Sequence, residues 1–493
     1  MTLVSRILPS DPVESLDRHL AAGGGAGLAA ALGADPAWVV DQITAAGLRG
    51  RGGAGFPTGT KWAAVRENLS SSIPATVVVN AAEGEPGTFK DRMLLRRDPY
   101  SVVEGALIAA HVVGARRVIL AVKEGFARET ARLHDVIAEL VDARWCDDVE
   151  IEVFAGPKAY LLGEETALLE AIDGRPPFPR IAPPFRRGVD EVVETPADVD
   201  SGSGLSAHVE MAGGGGAVEA PPALVDNVET LANVAFILRE GVDAFRSMGT
   251  EQSPGTVICT VTGSVATPDV AEVEMGTLLS EVLEAIGGGP LEDRRLVAVL
   301  PGVSNAVIVA ERFDTPLTYE DMEAAGSGLG SASFVVFDDS DDMLAVAAGV
   351  SRFLYVESCG QCTPCKKDGG VISQALDQLV HGEFDDAAAP AAAVVTIRGK
   401  LDTVADGARC ALARQHEAVI RSLLDAFPDT VTAHVDRTVP AAERTLVGDL
   451  VDLHDGIMLV DEELLHRQPD WTDDPVDSGA TPVERFIDHR AGV

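Results

Sequence analysis

Residues 75–87 read Ala75-Thr-Val-Val-Val-Asn80-Ala-Ala-Glu83-Gly-Glu85-Pro-Gly87. A short β-branched run thus breaks abruptly into a polar, glycine-rich segment, the pattern of a strand that ends in a loop. Working outward from it, Ser101–Gly114 has helical periodicity and Arg117–Val122 is a second strand candidate. Phe126–Val141 reads as helix and Val149–Phe154 as a third strand. The order β-α-β-α-β predicts a parallel sheet with right-handed crossovers. On such sheets ligands lie beyond the carboxyl ends of the strands. Strand one ends in Asn80–Gly87, strand two in Lys123-Glu124-Gly125, and strand three in Gly156, with Gly163-Glu164-Glu165-Thr166 opening a helix just after it. The polar segments therefore gather on one edge of one sheet.

Upstream, a helical stretch over Val13–Ala46 leads into the loop Gly47–Gly59. Gly50-Arg51-Gly52-Gly53-Ala54-Gly55 matches G-x-G-x-x-G, but a helix rather than a strand precedes it, so it is not a dinucleotide fingerprint by context. Arg49, Arg51 and Lys61 supply three cations and the segment holds no acid. Glycines let backbone amides approach an anion and the cations neutralise it; an ordinary flexible loop is the alternative. Phe56 could stack on a flat ring or simply pack.

The chain as a whole is strongly acidic: 39 basic against 77 acidic residues, a formal charge of −38, with only seven lysines. That composition argues against nucleic acid or an anionic membrane as partner. The apolar content of 46% and the length of 493 residues predict a globular protein of about three domains. No secretory signal is evident at the start. Leu107–Val122 is interrupted by Arg116-Arg117, so no direct membrane insertion is expected.

Downstream, Arg186–Pro222 reads as a solvated loop insertion. Thr256–Val265 and Leu296–Val309 are strand-rich around a helical Gly276–Ile286, a small α+β module. Asp341–Phe427 is helical, and the chain from Pro469 is expected to be extended or partly disordered. Cys359-Gly-Gln-Cys362-Thr-Pro-Cys365 is C-x2-C-x2-C, with Cys410 following in the same helical region. Three thiolates within seven residues can hold three corners of a cubane cluster, the fourth corner coming from a distant segment. A four-cysteine zinc site is the alternative, although such sites usually present two separated C-x2-C knuckles. Lys366-Lys367 adds cations beside the thiolates; Arg409, Arg414 and Arg421 form a basic group near Cys410, either a docking patch or a solvated helix face. Cys259 reads as packed core, and Cys146 has no partner by spacing. Clustered thiols without a disulfide framework suggest a reducing cytoplasm.

These segments together resemble the NADH-binding flavoprotein subunit family of respiratory complex I. Gly47–Trp62 is similar to its flavin-binding signature, Glu357–Cys365 to its tetranuclear cluster signature. Glu83–Arg92, Gly163–Thr166 and Asn227–Thr230 follow in the family's order. The resemblance implies a Rossmann-like, parallel-sheet FMN domain over 1–245, a ubiquitin-like module over 250–338 and a helical 4Fe-4S domain over 341–430; the acidic C-terminal extension over 431–493 has no counterpart in the family pattern. It implies FMN held by Gly50, Arg51, Gly52, Lys61, Asn80, Glu83, Gly163, Glu164 and Asn227. It implies NAD(H) contacts from Phe56, Glu85, Glu165 and Phe185, and cluster ligation by Cys359, Cys362, Cys365 and Cys410. The implied activity is that of an NADH dehydrogenase-type oxidoreductase with quinone or ferredoxin as distal acceptor. Electrons would pass from NADH through FMN to the cluster and on to iron–sulfur subunits or a ferredoxin, in the cytoplasm and peripheral to a membrane complex. Three positions depart from the family pattern: Ala82 for Asp, Ala182 for Lys, and Asp226 for Asn. They define the alternative, a divergent paralogue without tight NADH binding that relays electrons for a ferredoxin-type partner.

Overall fold

The computed structural model describes residues 3–70, 73–189 and 221–486. Most of the anticipated insertion, residues 190–220, and the last seven residues lie outside the described part.

The first three strands form as the pattern requires: β1 (Thr76–Ala81), β2 (Arg117–Lys123) and β3 (Glu150–Gly156), all parallel. Helices Pro99–Val113 and Ala127–Asp142 make the crossovers. A fourth parallel strand, β4 (Ala223–Asn227), pairs with the other edge of β1 and is not among those the pattern predicts; the sheet order is β3-β2-β1-β4. The chain thus winds one way from β1 to β3 and the other way to β4. The crevice between β1 and β4 is where the winding reverses, which is where ligands sit in open parallel sheets. In that register Asn80 is the direct partner of Asn227.

The second module is a mixed five-stranded sheet in the order β6-β5-β9-β7-β8. Its strands are β5 (Thr256–Gly263), β6 (Asp269–Glu274), β7 (Leu296–Leu300), β8 (Ile308–Val309) and β9 (Ser333–Asp338). Helix Leu279–Gly287 buries Leu279, Val282, Leu283 and Ile286 against Val257, Cys259 and Val261. A sheet with parallel central strands clasping one helix is the ubiquitin-like arrangement. Cys259 is fully buried in it, and burial pushes its thiol far up, as a core cysteine requires.

The third unit is a bundle of helices Met343–Glu357, Thr363–His381, Ala389–Leu401 and Leu412–Ala426, around Leu354, Ile372, Leu376, Ile397 and Ile420. His416 is buried in it and shares a 2.8 Å hydrogen bond with Ser351 Oγ. Burial pushes its imidazole down to about 4 from 6.5. The folded state therefore binds fewer protons than the unfolded state between those values. Stability is full above pH 6.5 and is lost as pH falls toward 4, by about 3 kcal/mol in all. Thermal melting of the wild type against His416→Gln between pH 7 and pH 5 checks this. The variant is expected to lose the steeper part of the decline.

Past the bundle the chain does not trail away. A hairpin of β10 (Leu450–His454) and β11 (Ile457–Val460) is followed by a segment that packs across the molecule. Trp471 Nε1 donates to Val356 O at 2.9 Å, Val483 N to Cys359 O at 3.0 Å, and Arg92 Nη1 to Leu450 O at 2.5 Å. Arg96 pairs with Asp452 at 2.6 Å, and Lys123 pairs with Asp449. From Pro469 the described chain is largely irregular, as an extended tail would be, but it is anchored to the body of the protein. Pro469, Thr481 and Pro482 are buried and Trp471 is half-buried, while residues 473–479 are exposed; Thr481 and Glu484 close a capping box. The tail seats on helix Met343–Glu357 at Gly349, where an added Cβ would lie 2.0 Å from Thr445 O. Gly349→Ala is therefore expected to cost about 1–3 kcal/mol and to unseat the tail. Limited proteolysis should then cut between residues 436 and 449 while the bundle survives.

Candidate functional site

The carboxyl ends of β1 and β4 carry the first half of the site. Asn80 Nδ2 donates to Gly163 O at 2.8 Å. Asn227 caps helix Val228–Glu240 by accepting from Glu229 N at 3.0 Å, and its Nδ2 donates to Asp91 Oδ2 at 2.7 Å. Glu83 is buried, accepting from Asp91 N and from Arg92 Nε, both at 2.9 Å. Asp91 thus ties Glu83 to Asn227. Glu164 spends its carboxylate on capping the next helix, accepting from Ala167 N at 2.7 Å and Thr166 N at 3.1 Å. Its structural effect is to fix Gly163 and Glu165.

The glycine loop closes over this edge. Gly50 N donates to Phe56 O at 2.8 Å, and Gly52 is exposed beside Asn227, where an added Cβ would stand 3.2 Å from the Asn227 Cβ. A larger residue at Gly52 would crowd that face of the cradle. Arg51 departs from the other loop cations. Its side chain is buried, its guanidinium donating to Thr256 O at 3.0 Å and Tyr319 Oη at 3.0 Å while its backbone N donates to Thr230 Oγ1. The cation expected at the anion instead clamps the loop to the second module. Lys61 lies at the cradle, 2.8 Å from Glu165 and 3.9 Å from Asp226. Burial alone would lower its pKa, but Asp226 and Glu165 outweigh that and raise it. Asp226 is buried and accepts from Trp62 Nε1 at 2.6 Å; burial raises its pKa despite Lys61. Ala82 is buried among Leu162, Leu168 and Val78.

Of the residues expected to contact a nucleotide, Glu165 meets Lys61 directly. Glu85 accepts from Tyr160 Oη at 2.8 Å and Val303 N at 2.7 Å, and burial raises its pKa. Phe56 is 54% exposed next to the glycines, a flat face open to solvent. Phe185 packs partly buried against the main core beside Arg186.

Cys359, Cys362, Cys365 and Cys410 line one small cavity together with Leu161, Pro179 and Arg409. Burial, then the neighbouring thiols, pushes Cys365 up to about 12; burial likewise pushes Cys410 up to about 12. Iron must therefore displace protons to bind, the coupling expected of thiolate sites. The two lysines separate. Lys366 turns inward, donating to Tyr355 O and Ser358 O at 2.9 and 2.8 Å, and burial brings it down to about 7; Lys367 is exposed.

Sequence reasoning missed Tyr160. Its hydroxyl meets Glu85 and, at 3.3 Å, Gln415 Oε1; its backbone N donates to Glu357 Oε2 at 2.8 Å. A lone tyrosine in Lys158–Gly163 carries no spacing signal, and only the fold shows that it joins Glu85 to Glu357 and Gln415.

The sequence itself decides the family. The chain is 37% identical over 382 residues to the F subunit of NADH-quinone oxidoreductase from Rhodobacter capsulatus, covering 75% of this chain and 82% of that one. The chain belongs to the family of NADH-quinone oxidoreductase F subunits. Residues 43–236 match the Nuo51 FMN-binding domain, residues 345–434 the NADH-ubiquinone oxidoreductase-F iron-sulfur binding region, and residues 258–308 the SLBB domain. The corresponding subunit of Mycobacterium tuberculosis (strain CDC 1551 / Oshkosh) is 33% identical over 431 residues, covering 85% of this chain and 89% of that one. Among solved structures, a chain of NAD+-reducing [NiFe]-hydrogenase in the H2-reduced state superposes with a TM-score of 0.70 at 29% identity. The match covers 87% of this chain and 66% of that one, just under two thirds of its length.

The family's FMN and 4Fe-4S cluster fit the residues present. The cradle offers the exposed Gly52 with Asn80, Asn227 and Lys61, and the four soft thiols share one cavity. Zinc is set aside because the iron-sulfur region spans all four cysteines. Among the described residues no helix is long and apolar enough to cross a membrane.

Proposed function

We propose that the chain oxidises NADH at the cradle and passes the electrons singly through its cluster to partner iron–sulfur proteins. One observation supports this most. Leu161 lines the cluster cavity, and Gly163 O is held by Asn80 at the cradle. The two residues are two steps apart along the chain, so their Cα atoms are at most about 7 Å apart. The two sites are neighbours across one turn of chain, well within reach of electron tunnelling.

FMN, when bound, supplies the conversion of hydride to single electrons. The chain's own residues position and insulate. Asn80 and Asn227 set the cradle floor through Gly163 and Asp91. Lys61 neutralises anionic charge at its mouth, and Glu165 orients Lys61. Glu85, fixed by Tyr160 and Val303, is placed to accept from a nucleotide amide or hydroxyl. Phe56 offers a stacking face. Cys359, Cys362, Cys365 and Cys410 are the proposed iron ligands. The proposed division is a flavin domain over 1–245, a ubiquitin-like module over 250–338, a cluster domain over 341–430 and an extension over 431–493.

A second reading has its own support. Lys61 is already shared by Glu165 and Asp226, and Ala82 and Ala182 stand where the family pattern has an acid and a cation. A cradle so neutralised would hold a dinucleotide weakly, leaving the chain as a relay for a ferredoxin-type donor. Anaerobic mixing with NADH separates the two. Rapid bleaching of the flavin absorption is expected; flavin that stays oxidised at about 1 mM nucleotide, the upper end of ordinary substrate affinities, would establish the relay.

A further inference from the structure

The cluster cavity has three kinds of wall. Leu161 and Pro179 face it from the flavin domain. At Cys359 and Gly360 the tail shuts it: Val483 N donates to Cys359 O, and a Cβ on Gly360 would lie 2.7 Å from Thr481 Cβ. The remaining wall, Gln361 and Ala408–Cys410, opens to solvent. Electrons that arrive from the flavin side leave by this wall.

Its surroundings carry exposed cations. Arg409 is exposed and reaches across the wall to Gln361 Oε1 at 3.0 Å. Lys367 and Arg414 are exposed, and neither has an ion-pair partner among the described residues. Three other cations of the bundle are paired, Lys400 with Asp368, Arg398 with Asp425, and Arg421 with both Asp402 and Glu417, while Lys366 and Arg352 donate to backbone carbonyls. Thus three exposed cations without an ion pair among the described residues, Arg409 on the wall itself and Lys367 and Arg414 within a few residues of a proposed cluster thiol, stand near the open wall in a protein of charge −38. Asp406 is the exposed acid nearest Arg409 along the chain.

We infer that the acceptor is an acidic iron–sulfur protein that docks on the rim of Lys367, Arg409 and Arg414. This rests on the electron-transfer reading above and names its partner. The charge distribution makes the choice efficient. Acidic surface elsewhere repels such a partner, so unproductive encounters are suppressed by like charge while the rim attracts. Beyond a Debye length of about 8 Å the general repulsion is screened, and at contact the rim charges act nearly undiluted.

The test uses the full chain loaded with FMN and cluster and reduced photochemically, so that it does not depend on NADH. Three probes receive the electrons: an acidic [2Fe-2S] ferredoxin, basic cytochrome c, and the neutral quinone menadione. For the double variant Lys367→Glu/Arg414→Glu, stopped-flow reduction of the ferredoxin is expected to slow about tenfold or more, the scale of electrostatic steering. Cytochrome c should be reduced faster and menadione at an unchanged rate. Lys367→Gln/Arg414→Gln should fall between. An unchanged ferredoxin rate, or an equal loss with menadione, overturns the proposal. Flavin bleaching by NADH, read separately in the same proteins, reports on the proposed function alone.

Discussion

Cys410→Ser protein is expected to bind flavin and bleach it with NADH, yet to pass nothing on to an iron–sulfur acceptor. Three of the four thiols come from one turn and the head of helix Thr363–His381. Cys410 is the only one delivered from elsewhere, just ahead of helix Leu412–Ala426. The three local thiols cannot close a cubane by themselves, and a serine hydroxyl is a hard ligand poorly matched to iron–sulfide chemistry. The substitution removes one sulfur from the cavity without adding bulk, so the bundle should keep its fold. Iron and acid-labile sulfide content, with low-temperature EPR of the reduced protein, are the readouts. A complete cluster in Cys410→Ser would mean that the fourth ligand lies elsewhere and would undo the assignment.

Glu83→Ala is expected to be the most destabilising single change at the cradle. Arg92 is buried, its Nε 2.9 Å from Glu83, its plane over Phe89 at 4.1 Å and Phe126 at 4.4 Å, its Nη1 on Leu450 O of the tail hairpin. Removing the carboxylate leaves a guanidinium in the interior without its charge partner, which costs about 3–5 kcal/mol. The unfolding midpoint should drop by about 10 °C, read by differential scanning calorimetry. Glu83→Gln keeps an acceptor oxygen and should lose less. If Glu83 served only a flavin contact, the apoprotein would melt as the wild type does, and this outcome would remove the structural role.

What the sequence discloses and what it hides divide along physical lines. β1 and β2 are legible as apolar β-branched runs and β3 as an alternation of acid and apolar residues, each bounded by turn residues. β4 is not: Ala223-Leu-Val-Asp-Asn227 is five residues with two polar ones, following a long glycine-rich stretch, and its apolar content is too short to show a period. Without it there is no local reason for Asn80 and Asn227 to belong together, although the family resemblance points to both. The cluster thiols are legible because C-x2-C-x2-C is a spacing with few competing uses. The destination of Arg51 is illegible, since a cation in a glycine loop reads as an anion ligand until the second module's Thr256 and Tyr319 come within reach. Tyr160 and the tail are hidden for the same reason: their partners are hundreds of residues away or in another domain, and local pattern carries no record of such contacts. The family resemblance stands chiefly on the glycine loop and the cysteines, the two segments in which cofactor chemistry restricts residue choice most.

The strap that runs from Gly349 through the β10–β11 hairpin to Cys359 has a consequence for biogenesis. Those residues leave the ribosome after every cluster thiol and every cradle residue has done so. The wall at Cys359 and Gly360 is therefore the last part of the cavity to be synthesised, and until the strap arrives that side of the thiol pocket has no cover.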